Sequence, residues 1–269
     1  MCFPSKKQKN NFADGPEKAA KPASGTADIK DKPTTSASVQ PQPPSASAPP
    51  PVSDAPTLPT IAPVSEMSSP KVAIVIYTMY GHIAKLAEAE KAGIEKAGGT
   101  AVIYQVEETL PQEVLTKMYA PAKPDYPIMT PDLLTTFDAF LFGVPTRFGS
   151  MPAQWKTFWD STGQKWASGA YSGKYGGFFV STAGIGGGQE TTILTSLTNL
   201  THHGIIYVPF GYAHAFAQLS NIEEVHGGSP WGAGTYSSSN GSRQPTPLEL
   251  EVATNQGTAF WNTVSKVKF

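Results

Sequence analysis

One stretch near residue 70 constrains the fold more than any other. The run Lys71-Val-Ala-Ile-Val-Ile-Tyr77 is apolar after its first residue and rich in β-branched side chains, and it leads directly into Thr78-Met-Tyr-Gly-His-Ile83. An unbroken run of this kind is typical of a strand covered on both faces, as in the parallel sheets of α/β proteins. The stretch therefore predicts a buried parallel strand, then a loop and the start of a helix.

The loop at residues 78–83 has two interpretations. Thr78 offers a hydroxyl, Gly81 lets the backbone come close to a ligand, and a helix N-terminus presents N–H groups and the positive end of its dipole to an anion. A phosphate group would fit there. The alternative is an ordinary strand-to-helix turn capped by Thr78, and the stretch alone does not favour either one.

Composition divides the chain near residue 70. Of the 25 prolines, 14 lie before Lys71, whereas only two of the 25 glycines do. A segment rich in Pro, Ala, Ser and Thr has too few large apolar groups to offset the entropy cost of ordering. We expect residues 1–69 to form a disordered tail and residues 70–269 to form the folded domain.

The first nine residues differ from the rest of this tail. Cys2 is the single cysteine of the chain, which excludes an intrachain disulfide, and it lies near Lys6, Lys7 and Lys9. One acyl chain on Cys2 and this basic cluster would together supply the two signals that stable membrane anchoring needs. The alternative is a solvated tail with an incidental cysteine.

Neither a signal peptide nor a membrane span is expected, because no apolar run of the required length occurs. The sequence therefore favours a cytoplasmic protein. Peripheral contact with the inner face of the plasma membrane, through an acylated Cys2, is a further hypothesis.

Predicted strands and helices alternate from Lys71 onward. The strands are expected at residues 71–77, 100–106, 138–144, 175–180 and 205–208, and the main helices at 83–97, 112–118, 153–161, 189–202 and 248–264. The segment 219–247 is rich in Gly and Ser and is expected to be irregular. This alternation predicts a doubly wound α/β domain, with a five-stranded parallel sheet and helices on both faces.

Ligands of such sheets bind at the carboxyl ends of the strands, near the point where strand order reverses. The loops at residues 78–83, 145–150 and 181–188 each follow a predicted strand. We therefore expect these three loops to meet at one edge of the sheet.

Charge and motif content exclude several classes of protein. The formal net charge is −1 and the only arginines are Arg147 and Arg243, so the concentrated basic face of a nucleic-acid binder is missing. Neither G-x-G-x-x-G after the first strand nor a P-loop motif occurs. The pair His202-His203 has no further spaced metal ligand, so no metal site is expected.

Three other features are candidates for the ligand site. The glycine-dense Gly184-Ile-Gly-Gly-Gly188 could flank a planar ring, although such a stretch is more often a flexible turn. Trp166, expected to lie outside a regular element, could line a pocket, although tryptophan is more often a core residue. His202 is more often a helix C-terminal cap than a ligand contact. Together these patterns indicate a domain that binds a phosphorylated, flat cofactor.

Six ordered blocks of the sequence resemble one family. They are Thr78-Met-Tyr-Gly-His-Ile83, Pro145-Thr-Arg-Phe-Gly149, Trp166-Ala-Ser-Gly169, Gly186-Gly-Gly-Gln189, His202-His-Gly204 and Gly241-Ser-Arg-Gln-Pro245. Together they resemble the WrbA-like flavoproteins, which are NAD(P)H:quinone oxidoreductases of flavodoxin-like fold. The resemblance implies FMN as cofactor, NADH or NADPH as co-substrate, a quinone as substrate and a homotetramer.

The resemblance also implies roles for individual positions. Tyr80 resembles the residue that contacts nicotinamide, Trp166 resembles the one beside which quinone stacks, and His202 resembles a flavin contact that a neighbouring subunit can supply. No catalytic side chain is implied, because the flavin carries the chemistry. The implied FMN-binding residues are Thr78, Met79, Tyr80, Gly81, His82, Ile83, Thr146, Arg147, Phe148, Thr182, Ala183, Gly184, Ile185, Gly186, Gly187 and His202.

One block departs from the family pattern. The family commonly reads Ser-Thr-Gly-Thr-Gly-Gly-Gly, whereas this chain reads Ser181-Thr-Ala-Gly-Ile-Gly-Gly-Gly188 and is one residue longer. The register of the backbone donors along the flavin ring edge is therefore open, although glycine-rich backbone can adjust.

Two other functions are compatible with the same residues. A flavodoxin-like electron carrier would bind FMN and pass single electrons to protein partners, and a membrane-associated scaffold would use the tail and keep only residual flavin. The near balance of 21 acidic and 20 basic residues disfavours the carrier, since such carriers usually dock through a strongly acidic surface.

Overall fold

The elements follow one another as in a doubly wound α/β domain. The computed structural model describes residues 69–269, and Cys2 with the rest of the predicted tail up to residue 68 lies outside this range. The strands are β1 (Val72–Ile76), β2 (Ala101–Gln105), β3 (Ala139–Pro145), β4 (Tyr175–Thr182), β5 (Ile206–Tyr207) and β6 (Gly234–Tyr236). The helices are α1 (His82–Lys96), α2 (Gln112–Lys117), α3 (Pro131–Leu134), α4 (Ala153–Asp160), α5 (Gly163–Ala167), α6 (Gln189–His203), α7 (Phe216–Leu219) and α8 (Pro247–Val264).

All pairings between these strands are parallel. The strand order is β2-β1-β3-β4-β5, with β6 also paired to β4. Every residue of β1 and β3 is buried, as their continuous apolar runs require in a sheet covered on both faces. The predicted parallel sheet with helices on both faces is confirmed, and β6 adds a sixth strand to it.

The expectation that residues 219–247 are irregular is wrong in part, because β6 lies within them. β5 pairs with Tyr175 and Gly176, whereas β6 pairs with Val180–Thr182. Since β3 occupies the opposite side of β4, β5 and β6 are two pieces of one interrupted edge strand. The short Gly-Thr-Tyr segment has no apolar run. It is a strand because it pairs with β4, and its own sequence pattern does not predict one.

Helices cover the two faces of the sheet with separate cores. Leu86 of α1 and Phe260 of α8 belong to the cluster on one face. Trp155 of α4 and Ile193 of α6 belong to the cluster on the other. None of the helices within residues 69–269 is both long and apolar enough to cross a membrane.

α1 and α8 approach each other closely through two glycines. A Cβ atom on Gly93 would lie 2.0 Å from the carbonyl oxygen of Thr254, and one on Gly257 would lie 2.1 Å from the carbonyl oxygen of Glu90. Only glycine permits these two backbones to pack so tightly. The Glu90 side chain is buried at this crossing, and neither of its carboxyl oxygens has a hydrogen-bond partner among the described residues.

Most predicted element boundaries differ from the observed ones by one or two residues, which is the usual uncertainty at frayed ends. One local prediction is wrong. Trp166 was expected outside a regular element, but it lies in the short helix α5. The turn at Gly163–Ala167 is too short to show helical periodicity in the sequence.

Candidate functional site

Because β1, β3 and β4 are adjacent parallel strands, the loops that follow them lie at the same carboxyl edge of the sheet, and hydrogen bonds link the ends of β1 and β3 and the second and third loops. Tyr77 N–H donates to the carbonyl oxygen of Gly143 over 3.2 Å, and Thr146 N–H donates to that of Ser181 over 2.9 Å. The hydroxyls of Thr192 in α6 and of Thr146 form a hydrogen bond over 2.7 Å. This meeting of loops is what the strand order requires.

The first loop leaves the N-terminus of α1 open. Thr78 is buried, and its hydroxyl accepts a hydrogen bond from Gly81 N–H over 3.1 Å. Gly81 is the N-cap residue with φ of 87°, and within residues 69–269 no side chain caps the helix. The first turn also contains no acidic residue. Its N–H groups and the dipole thus suit an anion, and the donors present fit the phosphate of FMN.

His82 lies in this first turn, and its side chain makes a contact within the fold. Its Nε2 is 2.8 Å from the carbonyl oxygen of Arg243, and a carbonyl only accepts, so Nε2 carries the proton and donates. Burial lowers the pKa of His82, although the Arg243 carbonyl partly opposes this effect. A neutral His82 therefore connects α1 to the loop before α8.

The second loop is a tight turn that presents Phe148. Arg147 N–H donates to the Ser150 carbonyl over 2.7 Å, and Ser150 N–H donates back over 3.1 Å. Phe148 has φ of 56° and is fully exposed. A left-handed conformation is uncommon for a bulky residue and persists only where the surroundings enforce it. The Arg147 guanidinium donates to the Thr146 carbonyl over 2.8 Å, so the cation lies at this loop.

The third loop remains compact despite its additional residue. Thr182 is buried and its hydroxyl donates to the Gly184 carbonyl over 3.0 Å, while Gly187 N–H donates to the same carbonyl over 2.9 Å. A Cβ atom on Gly188 would lie 2.4 Å from the Thr191 hydroxyl, so glycine is required there. Ile185, which the longer sequence introduces, is 72% exposed.

Two predicted residues lie away from these loops in the same chain. α6 begins after the third loop and has 15 residues, so at about 1.5 Å per residue its far end is about 22 Å away. His202 lies at that far end, and it is exposed. Trp166, 57% exposed, lies in α5, and the hydroxyl of nearby Thr162 is 2.9 Å from His203 Nε2. Both residues therefore lie toward the amino-terminal edge of the sheet.

A polar cluster behind the first loop was missed by sequence reasoning. Glu108 accepts hydrogen bonds from the Tyr77 hydroxyl over 2.9 Å and from the Gln154 amide over 3.0 Å, and it forms an ion pair with Lys123 over 2.7 Å. Glu108 lies three residues beyond the end of β2. The rule that carboxyl ends of strands face the ligand could have identified it.

Burial alone would raise the pKa of Glu108, but hydrogen bonds from Lys123, Leu110 N–H and Tyr77 outweigh it and lower the pKa. The carboxylate is therefore ionised at neutral pH. Burial, followed by the hydrogen bond to Glu108, raises the pKa of Tyr77, so its hydroxyl keeps its proton and remains a donor.

Arg243 serves the fold rather than the open loops. Its guanidinium contacts both carboxylate oxygens of Glu249 at 3.0 Å and donates to the carbonyl of Val225 over 2.9 Å. Glu249 is fully buried at the start of α8. Of the two arginines in the chain, only Arg147 lies in one of the three loops. No cluster of metal ligands occurs among residues 69–269.

Comparison with known proteins is consistent with this geometry. The family model described as "NADPH-dependent FMN reductase" matches residues 73–217. The "NAD(P)H quinone oxidoreductase PST3" of Candida albicans is 63% identical over 198 residues, which are 74% of this chain and 100% of that protein. "Protoplast secreted protein 2" of Saccharomyces cerevisiae is 64% identical over 197 residues, or 73% of this chain and 99% of that protein.

A solved structure shows the same fold. The flavodoxin, WrbA-like protein from Agrobacterium tumefaciens superposes with a TM-score of 0.50 at 21% identity, covering 72% of this chain and 97% of that chain. At this identity the likeness concerns the fold alone, and it confirms the predicted flavodoxin-like class.

Proposed function

The chain belongs to the NADPH-dependent FMN reductase family, and from that premise we propose that it is an FMN-dependent NAD(P)H:quinone oxidoreductase. Its relatives include proteins named NAD(P)H quinone oxidoreductase that it matches over their full length. The observation that carries the proposal is the N-terminus of α1, which has no side-chain cap within residues 69–269 and lies at the same edge of the sheet as the loops that follow β3 and β4. Bound FMN supplies the redox chemistry, accepting hydride from a reduced nicotinamide and returning two electrons to a quinone.

The protein's own part is to bind and orient. The N–H groups of the first turn of α1 would hold the phosphate, and Thr78 lies beside them. The backbone of the loops at residues 145–150 and 181–188 would flank the ring system. A Cβ atom on Gly184 or Gly186 would meet no other atom within 4 Å, so the backbone is accessible at these two glycines. No side chain needs to act as a general base for hydride transfer, so positioning and charge stabilisation account for the protein's contribution.

Both reactants use one open face of the site in turn. The nicotinamide leaves before the quinone enters, and Tyr80 is the side chain proposed to contact the nicotinamide. This order predicts ping-pong kinetics: double-reciprocal plots at several quinone concentrations give parallel lines. Intersecting lines would contradict a shared site.

We also propose a homotetramer in which one subunit completes the site of another. Trp166 and His202 lie far from the loops of their own chain, and both are exposed, so they can reach a flavin only in a second copy. Trp166→Ala should lower quinone and nicotinamide turnover more than FMN retention. Light scattering coupled to size exclusion measures the assembly, and a fully active monomer would remove the proposal.

The decisive experiment uses the purified full chain. Its absorption spectrum should show a bound flavin, and the chromophore released by denaturation should be FMN. A steady-state assay with NADH and benzoquinone should then show turnover. Bound FMN without turnover would favour a flavodoxin-like carrier or a scaffold, and the absence of FMN binding would overturn the proposal altogether.

The cellular location is a separate proposal. We propose that the protein works in the cytoplasm and contacts the inner face of the plasma membrane through acylated Cys2, supported by Lys6, Lys7 and Lys9. Fractionation of cells that express Cys2→Ser should show loss of membrane association. Membrane association equal to that of the natural sequence would remove the hypothesis.

A further inference from the structure

The segment between β2 and α3 crosses over the first loop. We call residues 107–130 the strap. The Tyr80 hydroxyl donates to the carbonyl of Met118 in the strap over 2.9 Å. Lys123 of the strap donates to the carbonyl of Thr78 over 2.7 Å. The strap thus contacts the backbone and a side chain of the loop proposed to bind phosphate.

The Lys123 ammonium is directed toward the interior of the domain. Its ammonium contacts Glu108 Oε2 at 2.7 Å and the Thr78 carbonyl at 2.7 Å, and it lies 4.4 Å from the centre of the Tyr77 ring. The Lys123 side chain is 24% exposed and that of Glu108 is 17% exposed. Lys123 therefore acts on the loop backbone and is not placed as a direct phosphate ligand.

Glu108 is itself fixed from several directions. Oε1 accepts hydrogen bonds from the N–H groups of Thr109 and Leu110 and from the amide of Gln154, while Oε2 accepts from Tyr77. A carboxylate held by this many donors stays ionised and in one orientation. It therefore holds the Lys123 ammonium against the Thr78 carbonyl.

The direction of one carbonyl sets the direction of the next N–H. In a planar trans peptide the C=O and the following N–H point in opposite directions. Because the Thr78 carbonyl points to Lys123, the N–H of Met79 points away from Lys123. The contact thereby fixes one peptide plane of the loop, next to the first turn of α1, whose own N–H groups have no side-chain cap within the described part of the chain.

We propose that Lys123, held in place by Glu108, is a positioning residue that presets the phosphate-binding backbone of the first loop. The inference rests on the proposed function, since it concerns how the same site grips FMN. Its specific consequence is that Lys123 contributes to recognition of the phosphate and not of the flavin ring. Riboflavin, which has the ring without the phosphate, therefore separates this role from a general structural one.

The test compares FMN and riboflavin binding to apo-protein by quenching of flavin fluorescence. Lys123→Met keeps most of the aliphatic stem but removes the ammonium. It should weaken FMN binding about 10-fold, the scale of one hydrogen bond from a charged group, and change riboflavin binding by less than about twofold. Glu108→Gln should act in the same direction and add little in the Lys123→Met background, because the two residues act as a unit.

Lys174→Met is the matched control. Lys174 also donates to main-chain carbonyls, those of Thr135 and Phe137, but it precedes β4 at the opposite edge of the sheet. It should leave the ratio of FMN to riboflavin affinity unchanged, even if the free energy of unfolding falls. An unchanged ratio in Lys123→Met, or an equal loss of both ligands, would overturn the positioning role.

A second readout separates this inference from the proposed function. Inorganic phosphate should raise the thermal midpoint of the wild-type apo-protein and of Lys174→Met more than that of Lys123→Met. If the wild type binds no FMN but shows this phosphate response, the proposed function fails and the positioning role stands. If Lys123→Met does not fold, Glu108→Gln carries the same comparison. Equal phosphate responses in the wild type and Lys123→Met would reject the inference.

Discussion

α1 and α8 pack against each other, yet their N-termini are built in opposite ways. α8 begins with a capping box, in which the Thr246 hydroxyl accepts from Glu249 N–H over 3.2 Å and Glu249 accepts from Thr246 N–H over 2.9 Å. α1 has Gly81 as its N-cap residue, and no side chain in residues 69–269 caps it. One helix satisfies its terminal donors within the fold, and the other keeps them for an anion.

The two N-termini therefore serve different purposes: the N-terminus of α8 stabilises the fold, and the N-terminus of α1 is kept for binding. At α8, Pro247 lies in the first turn. The Glu249 carboxylate accepts hydrogen bonds from the Arg243 guanidinium, the Thr235 hydroxyl and the N–H of Gly227. At α1, the nearby polar groups of the strap stiffen the loop from behind. The strap therefore supports the loop before α1, but it does not cap the N-terminus of this helix.

The largest expected effect comes from removing the cap of α8. Glu249→Ala leaves the Arg243 cation without its carboxylate and several N–H donors without an acceptor, so we expect a loss of about 3–5 kcal/mol in the free energy of unfolding. Urea denaturation of the apo-protein measures it. The double variant Arg243→Met/Glu249→Leu should recover only part of the loss, because the N–H groups stay unpaired. A loss below about 1 kcal/mol would show that the cap is dispensable.

The crossing of the two helices gives a pH-dependent effect. Burial raises the pKa of the Glu90 carboxyl well above its ordinary value, so the folded state holds it protonated. Below about pH 4.3 the Glu90 carboxyl is protonated in both the folded and the unfolded state, so it does not lower the free energy of unfolding. As pH rises, the unfolded chain ionises first, and the wild type should lose about 1.4 kcal/mol per pH unit until the folded pKa is reached.

Glu90→Gln should remove this slope. Urea denaturation at pH 5, 6 and 7 should show the variant gaining relative to the wild type at each step. Glu95→Gln changes an exposed carboxylate on the same helix and serves as the control. Parallel pH profiles for the wild type and Glu90→Gln would mean that ionisation of Glu90 in the folded protein does not lower the free energy of unfolding.

The smallest effects come from the threonine at the start of each helix. Thr78→Ala and Thr246→Ala each remove one hydroxyl that accepts a backbone N–H, and each should cost about 1 kcal/mol of unfolding free energy. Only Thr78→Ala should also weaken FMN binding, by about 10-fold. Titration of apo-protein with FMN checks this, and equal FMN affinities would place Thr78 in the same structural class as Thr246.

The elements with strong local patterns were predictable from sequence. β1 and β3 are continuous apolar runs, and the turn at Thr78 to Ile83 combines a hydroxyl with a glycine, so the central strands and the first loop could be located. Neither strand needs its neighbours to be recognised. The confirmed fold class follows from these elements and from the alternation of strands and helices.

Other features depend on contacts that no local pattern encodes. β6 is a strand because β4 lies beside it, and Lys123 acquires its role because the strap folds back over Thr78, 45 residues away in sequence. Trp166 and His202 belong to the family resemblance, but helices that cross the whole sheet separate them from the loops. The roles assigned to the site residues stay predictions until FMN binding is measured.

The glycine crossing between α1 and α8 has a consequence for biosynthesis. Translation proceeds from the N-terminus, so α1 leaves the ribosome long before α8 exists, and the face around Gly93 has no packing partner during that interval. The growing polypeptide therefore contains the loop at residues 78–83, which is proposed to bind the cofactor, before it contains α8, which packs against α1. Flavin loading should accordingly require that α8 has been synthesised, and nascent chains stalled before Pro247 should not retain flavin.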